Sequence, residues 1–427
     1  MKFFSNLSES LKSFRFRPFG TLQPTLNSMS SAQILTCDHT SVSFDSSGQP
    51  EISSLETERS LQLAAQHLQN SQPIAFPTET VYGLGALALN DSAASRIFST
   101  KGRPPDNPLI VHVSSLQMLN SLIPPSFTMP PSYSILMKRF WPGGLTLLFP
   151  RDAKIVPSII TAQQPTVAIR MPSHPIARAL IALTNAPIAA PSANSSGKPS
   201  PTSAEHVFSD LGSKLTYILD GGPCGVGLES TVVDGLHEDG NIRVLRPGGV
   251  TVEDIQKALE EEMADGIPIP QVLVHRRDYR DAELEAAPTT PGMKYRHYSP
   301  AAPVTLLMTV TPSPKDVRPT DATSYFASLK QTLGSESPIK IGIMALVDSP
   351  LGTYSLPAID GVEWHRFELG PKSKPSVTAR RLFDGLFTLE REGVHLIITE
   401  EVEETEEGLA VMNRVRKAAS ESIWVSF

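Results

Sequence analysis

Cysteine is almost missing. Cys37 and Cys224 are the two in 427 residues, which excludes a disulfide framework and a Cys-rich zinc site and permits a reducing compartment. Long apolar runs are missing too. None reaches the roughly 20 residues of a membrane span, so no membrane partner is expected. There is no GxxxxGK[ST] and hence no Walker-type phosphate loop; neither HExxH nor CxxC occurs, so there is no zinc signature. No residue is assigned to a protein-held metal. Neither sign of charge dominates: 37 Lys and Arg against 44 Asp and Glu give a formal net charge of −7. That argues against wholesale coating of nucleic acid and leaves room for a local basic groove.

What is present is a globular composition, 40% hydrophobic and 19% charged. At roughly 100–200 residues per domain the length predicts two or three domains. Proline outnumbers glycine, 38 to 27, which marks long ordered loops or linkers. Residues 1–36 carry Lys2, Lys12, Arg15 and Arg17 against one acid, Glu9, amid serines and phenylalanines. This reads either as a mitochondrial transit peptide or as a disordered tail, with Met29 available as a second start. The division expected is an N-terminal extension over 1–50, a catalytic domain over 51–259, a linker over 260–302 and a C-terminal domain over 303–427.

Leu55, Leu61, Ala64, Ala65 and Leu68 predict an amphipathic helix over 54–72. A strand at 74–76 precedes PTETVYGLGALALN, and Asn90 or Asp91 caps a short helix. Strands are expected at 109–113, 145–149, 167–169, 188–190, 217–219, 230–233 and 243–245. Helices interrupt them at 173–184 and 203–211, the second with Thr202 and Glu205 as a capping box and Gly212 as its stop. Such alternation is an α/β pattern. Residues 260–302 have prolines, scattered charge and little periodicity. Strands at 304–308, 341–346 and 394–399, with helices at 376–391 and 406–420, imply a small parallel-sheet domain. Glu400, Glu401, Glu403, Glu404, Glu406 and Glu407 read as a solvated helix N-terminus favoured by the helix dipole.

Six polar islands follow the strands. They are Thr78-Glu79-Thr80 with Tyr82; Lys101-Gly102-Arg103 with Asn107 and His112; Thr166 to Arg170; Ser192 to Gly197 with Ser200; Gly227 to Thr231; and Arg246-Pro247-Gly248-Gly249. Singly, each fits a turn, a cap or a weak surface ion pair. Together, Lys101, Arg103, Arg170 and Arg246 near strand ends, among hydroxyls and an amide, suit a polyanion. Arginine matches phosphate oxygens bidentately, lysine acts as a point charge, and Ser or Thr meets the remaining acceptors. Open α/β sheets bind ligands beyond their strand ends. The residues alone therefore point to an enzyme acting on a phosphate-bearing ligand. Gly83-Leu84-Gly85 with Ala88 only approximates a dinucleotide fingerprint, because PTETVY separates it from the preceding strand.

In order, PTETVYGLG, KGRPPDNPLIVHV, WPGGLTLLF, VAIRMPSHP, APIAAPSANSSGKPSPT, GLESTVVD and RVLRPGGVT resemble the motifs of the threonylcarbamoyl-AMP synthase family. PGMKYRHYSP and the small C-terminal domain are similar to its two-domain form. The resemblance implies a twisted mixed-sheet YrdC-like catalytic domain followed by a small parallel-sheet, Rossmann-like domain. It also implies a nucleotidyl transfer that joins L-threonine, bicarbonate or CO2, and ATP into threonylcarbamoyl-AMP and pyrophosphate. Mg2+ would accompany the ATP, and the product would pass to a tRNA threonylcarbamoyltransferase. By motif position, Thr80, His112, Arg170, Ala190 and Ser230 resemble the threonine contacts. Arg103, Asn107, Thr166, Ser192, Ser200, Arg246 and Tyr298 resemble the ATP contacts, and Lys101, Arg103 and Arg170 the catalytic set. Lys294-Tyr295-Arg296-His297-Tyr298 reads as a lid, or as a passive spacer. The compartment implied is the cytoplasm, joined by the mitochondrion if the extension is a leader. Two competing readings stand: an RNA-binding module without catalysis, its weak tRNA binding carried by a basic groove, and a carbamoyl transferase using carbamoyl phosphate. The second would bring zinc-finger and acylphosphatase-like segments, which this sequence lacks. The C-terminal domain offers no motif of its own.

Overall fold

The computed structural model describes residues 31–281, 297–333 and 338–427; Lys294, Tyr295 and Arg296 of the expected lid lie outside them. The first lobe contributes thirteen strands: β1 (Gln33–Thr36), β2 (Val42–Phe44), β3 (Pro50–Ile52), β4 (Ile74–Phe76), β5 (Gly83–Leu87), β6 (Val111–His112), β7 (Leu145–Pro150), β8 (Thr166–Arg170), β9 (Ile188–Ala189), β10 (Tyr217–Asp220), β11 (Thr231–Asp234), β12 (Ile242–Arg246) and β13 (Val272–Val274). Eleven of these form one mixed sheet in the order β1-β10-β4-β5-β9-β6-β8-β7-β11-β12-β13, while β2 and β3 form a separate hairpin.

Both faces of the large sheet are covered, as its short central strands β4, β5 and β9, apolar throughout, require. Ile74, Phe76 and Ile188 pack with Leu61, Leu68, Ile176 and Leu180, from helices Leu55–Gln69 and Pro175–Thr184. Ala75, Leu84, Ala86 and Ala189 point the other way, into a core holding Ala94 and Ile97 of helix Asp91–Lys101. That helix starts at Asn90, whose side chain accepts from the Ala93 amide, and stops at Gly102 in the left-handed region.

The second lobe is one parallel sheet. Its strands are β14 (Val304–Met308), β15 (Thr320–Asp321), β16 (Ile339–Ala345), β17 (Val362–Glu368), β18 (Leu396–Glu400) and β19 (Glu421–Ser426), in the order β15-β19-β14-β18-β16-β17. Helices Pro375–Arg391 and Glu407–Ala418 bury Ala379, Leu382, Phe383, Leu386, Val411 and Val415 against it. Val81 and Leu228 of the first lobe belong to this same apolar cluster.

Four expectations need correction. Residues 31–50 are not extension: β1 pairs in parallel with β10, and Ala32 joins the core. The region 260–302 is not all linker, since helix Val252–Glu262 enters it and β13 pairs in parallel with β12. The helix at Ala204–Leu211 is capped by Ser203, whose hydroxyl accepts from the His206 amide, rather than by Thr202. Glu400 and Glu401 are buried, not solvated. Glu400 accepts from the Ser349 hydroxyl and the Leu351 amide, and Glu401 from the amides of Val310 and Thr311.

Candidate active site

The loop leaving β4 is shaped by Thr78. Its hydroxyl accepts from the amides of Thr80 and Val81 and donates to the Val81 carbonyl. This fixes Thr80, whose Oγ1 accepts from Arg170 Nη1 at 2.9 Å. Arg170 ends β8 and His112 ends β6, and the parallel register sets the two side by side. Arg170 Nε donates to His112 Nε2 at 3.0 Å, and His112 Nδ1 lies 3.2 Å from the Ile110 carbonyl. The bond from Arg170 makes Nε2 the acceptor, so Nδ1 carries the proton and donates to Ile110. Burial, with the Arg170 charge beside it, holds His112 well below the usual histidine range. Glu79 Oε1 stands 3.6 Å from Arg170 Nη1. Arg170 Nη2 has no hydrogen-bond partner among the described residues, and Arg170 lines the cavity.

A second cationic group faces the first. Arg103 Nε and Nη2 donate to the carbonyls of Asn107 and Pro108. Arg246 Nε and Nη2 donate to the Ser230 carbonyl, and Nη2 also reaches the Ser230 hydroxyl. The Ser230 hydroxyl is in turn 2.7 Å from that of Thr146 on β7. Burial and the like charge of Arg246 push Arg103 down to about 9. A buried cation depressed by a neighbouring like charge favours binding of an anion.

These groups line one cavity, with about 540 Å3 of space between its atoms once the open solvent at its mouth is included. Its walls carry Thr80, Arg103, His112, Arg170, Ala190, Ser192, Ser230, Arg246 and Tyr298, all nine expected from the sequence. Thr78, Val81, Gly83, Ile110, Pro191, Glu229 and His297 complete it.

Four expected residues are not in the walls. The Lys101 ammonium is turned to the carbonyls of Ser192 and Asn194, so it braces the Ser192 loop. Asn107 gives its carbonyl to Arg103. Ser200 reaches the site indirectly, donating to Glu229 Oε1. Thr166 begins β8, roughly 13 Å of strand away from Arg170. Gly83 and Gly85 serve packing within β5: a Cβ on Gly85 would lie 2.7 Å from the Phe76 ring. Val81, Glu229 and Arg414, which contacts Glu229, carried no expected role. For Arg414 a signal existed, since Val411, Arg414, Val415 and Ala418 share one helix face.

Comparison with known proteins identifies the family. A family model described as "Telomere recombination" matches residues 66–248, and one described as "Threonylcarbamoyl-AMP synthase, C-terminal domain" matches 250–420. A threonylcarbamoyl-AMP synthase of Schizosaccharomyces pombe is 41% identical over 405 residues, covering 90% of this chain and 92% of that one. The chain belongs to the threonylcarbamoyl-AMP synthase family. A crystal structure of Pyrococcus abyssi Sua5 complexed with L-threonine superposes with a TM-score of 0.71 at 38% identity, covering 93% of this chain and all of that one. A threonylcarbamoyl-AMP synthase of Pseudomonas putida is 32% identical over 188 residues, only 44% of this chain but 97% of its own. The family thus has members of one lobe's length as well as the two-lobe form. The mixed sheet followed by an all-parallel one is the fold expected from the resemblance. Among the described residues no helix is long and apolar enough to cross a membrane.

Proposed function

We propose that this protein is a nucleotidyltransferase that makes threonylcarbamoyl-AMP from L-threonine, bicarbonate or CO2, and ATP. The observation that carries the reading is the meeting, in one cavity, of Arg170 beside Thr80 and His112 with the Arg103 and Arg246 pair. The open edge of Arg170 suits the threonine carboxylate, and Thr80 with Ser230 suits its hydroxyl and amine. Arg103, Arg246 and Ser192 suit the ATP phosphates. The neutral threonine amine adds to CO2 and gives up one N–H proton to water, leaving a carbamate. A carbamate oxygen then attacks the α-phosphorus, and the bond to the β-phosphate oxygen breaks, its electron pair leaving on pyrophosphate. No protein nucleophile is needed. Holding two anions in contact and balancing their charge supplies the catalysis.

Magnesium enters this proposal as part of the ATP substrate. Among the described residues no three acidic, His or Cys side chains converge on a metal site. The carboxylate in the cavity wall, Glu229, is taken by Ser200 and Arg414. An ion carried by the phosphates needs no such cage. His297 and Tyr298 act as a cover, because carbamates decompose in water and exclusion has a purpose. The product is handed to a separate transferase acting on tRNA. The basic, serine-rich residues 1–30 support a mitochondrial address alongside the cytoplasm.

The test is incubation with ATP, bicarbonate and each of several amino acids. Pyrophosphate and an acyl-adenylate are expected with threonine alone. Salt-dependent tRNA binding without pyrophosphate release would instead mark an RNA-binding module.

A further inference from the structure

A relative of one lobe's length bears the same name as the two-lobe relatives, which raises the question of what the second lobe does in this chain. Three contacts carry it into the cavity wall. Val81, next to Thr80, and Leu228, next to Glu229, pack in the second lobe's core. Tyr298, in the cavity wall, has its ring centroid 5.3 Å from that of Phe383. Arg414, on helix Glu407–Ala418 and fully buried, donates from Nε to Glu229 Oε2 at 3.1 Å and from Nη1 to the Pro247 carbonyl. The guanidinium also stands 5.8 Å from the Tyr298 ring.

We propose that Arg414 is the positioning residue through which the second lobe sets the nucleotide half of the site. It holds Glu229 and, through it, Ser200, and it keeps Arg246 on Ser230.

The argument is electrostatic. Glu229 is buried beside the cavity's guanidinium groups. A buried carboxylate is costly unless it is both paired and hydrogen-bonded. Oε2 takes Arg414, and Oε1 takes the Ser200 hydroxyl. Arg246 is thereby left to bond the Ser230 carbonyl and hydroxyl. The Glu229 carboxyl is held down to about 2, by Arg414 first among its charged partners and by Arg246 second. Without Arg414, Glu229 would draw on Arg246, and that guanidinium would leave both Ser230 and the phosphates. Pro247 follows Arg246 directly, so the bond to its carbonyl ties the same turn to the second lobe.

The proposal rests on placing Arg246 and Ser200 on the ATP side. Its test is a double-mutant cycle in the full chain, using Arg414→Met, Glu229→Gln and both together. The readouts are ATP and threonine affinity by calorimetry, the two KM values, and thermal melting. Arg414→Met is expected to weaken ATP about tenfold or more while threonine stays within twofold. In the Glu229→Gln background the same substitution should change ATP affinity less than threefold. Three results would overturn the idea: a lower melting temperature with unchanged ATP affinity, equal weakening of both substrates, or the same loss in both backgrounds. Should Arg414→Met fail to fold, Arg414→Lys takes its place. It keeps the charge but cannot span Glu229 and Pro247 together, and a three- to tenfold loss confined to ATP is expected. If the cycle shows coupling in ATP binding yet the wild-type protein forms no acyl-adenylate, the reaction proposed above falls and this coupling stands.

Discussion

Arg170 and His112 form a fixed pair, the guanidinium Nε donating to the imidazole Nε2 at 3.0 Å. The histidine is therefore an acceptor that aims the arginine, and it works only while neutral. Its folded pKa lies well below the ordinary 6.5, so the native chain refuses a proton that the unfolded chain accepts. The sign follows: this contribution to stability is complete above about pH 6.5 and shrinks as pH falls below that value. Melting temperature should decline on acidification from pH 7 to 5, while threonine affinity, read in the folded protein where His112 stays neutral, should hold. His112→Ala should flatten part of that slope and raise threonine KM about tenfold, the scale of one hydrogen bond to a charged group. An unchanged slope would remove His112 from this role.

Arg170→Ala should weaken threonine roughly 10- to 100-fold, because one charged partner of the carboxylate disappears. Folding, followed by circular dichroism, should persist. Arg170→Lys should rescue poorly, since an ammonium cannot bond His112, Thr80 and a carboxylate in one plane. Normal threonine saturation in purified Arg170→Ala would refute the assignment.

Arg103→Ala and Arg246→Ala should act on the other substrate. The ATP dependence of pyrophosphate release should shift to about tenfold higher concentration or more, with threonine KM within threefold. An unmoved ATP curve would count against the placement.

The cover is tested by removing residues 288–300. ATP should bind more weakly and turnover should fall, because His297 and Tyr298 leave the wall. Equal affinity and turnover in the deleted protein would make the segment a spacer.

Gly227 offers a test of lobe packing apart from chemistry. Its φ is +80°, and a Cβ there would lie 2.4 Å from the Arg380 Cα. Gly227→Ala should cost about 2–4 kcal/mol through backbone strain and overpacking, seen as a melting temperature lower by several degrees. A melting temperature equal to wild type would mean that the lobes give way at no cost.

Much of the site could be read from the sequence because its residues lie in contiguous runs at strand ends. His112 and Arg170 close their strands, Ser230 directly precedes β11, Thr80 sits in the loop between β4 and β5, and the sheet gathers them. Roles that depend on direction could not be read so. Lys101 and Arg103 are two residues apart, yet Gly102 in the left-handed region ends the helix between them and sends one to carbonyls and the other to the cavity. Thr166 and Arg170 share β8, but a strand separates its ends by its own length. The elements missed at the sheet edges have weak patterns: β17 mixes half-buried and exposed positions and buries none fully, and β1 buries one residue in four. Glu400 and Glu401 looked like surface because their partners, Ser349 and Thr311, come from distant loops.

The short strand β1 limits how far the chain can be trimmed. Gln33 to Thr36 run beside β10 as the outermost ribbon of the large sheet. Trimming beyond Ala32 would strip that ribbon and bare the backbone of β10, an invitation to aggregate. A cut upstream of Ala32 would leave it whole, and synthesis begun at Met29 would still deliver the whole ribbon.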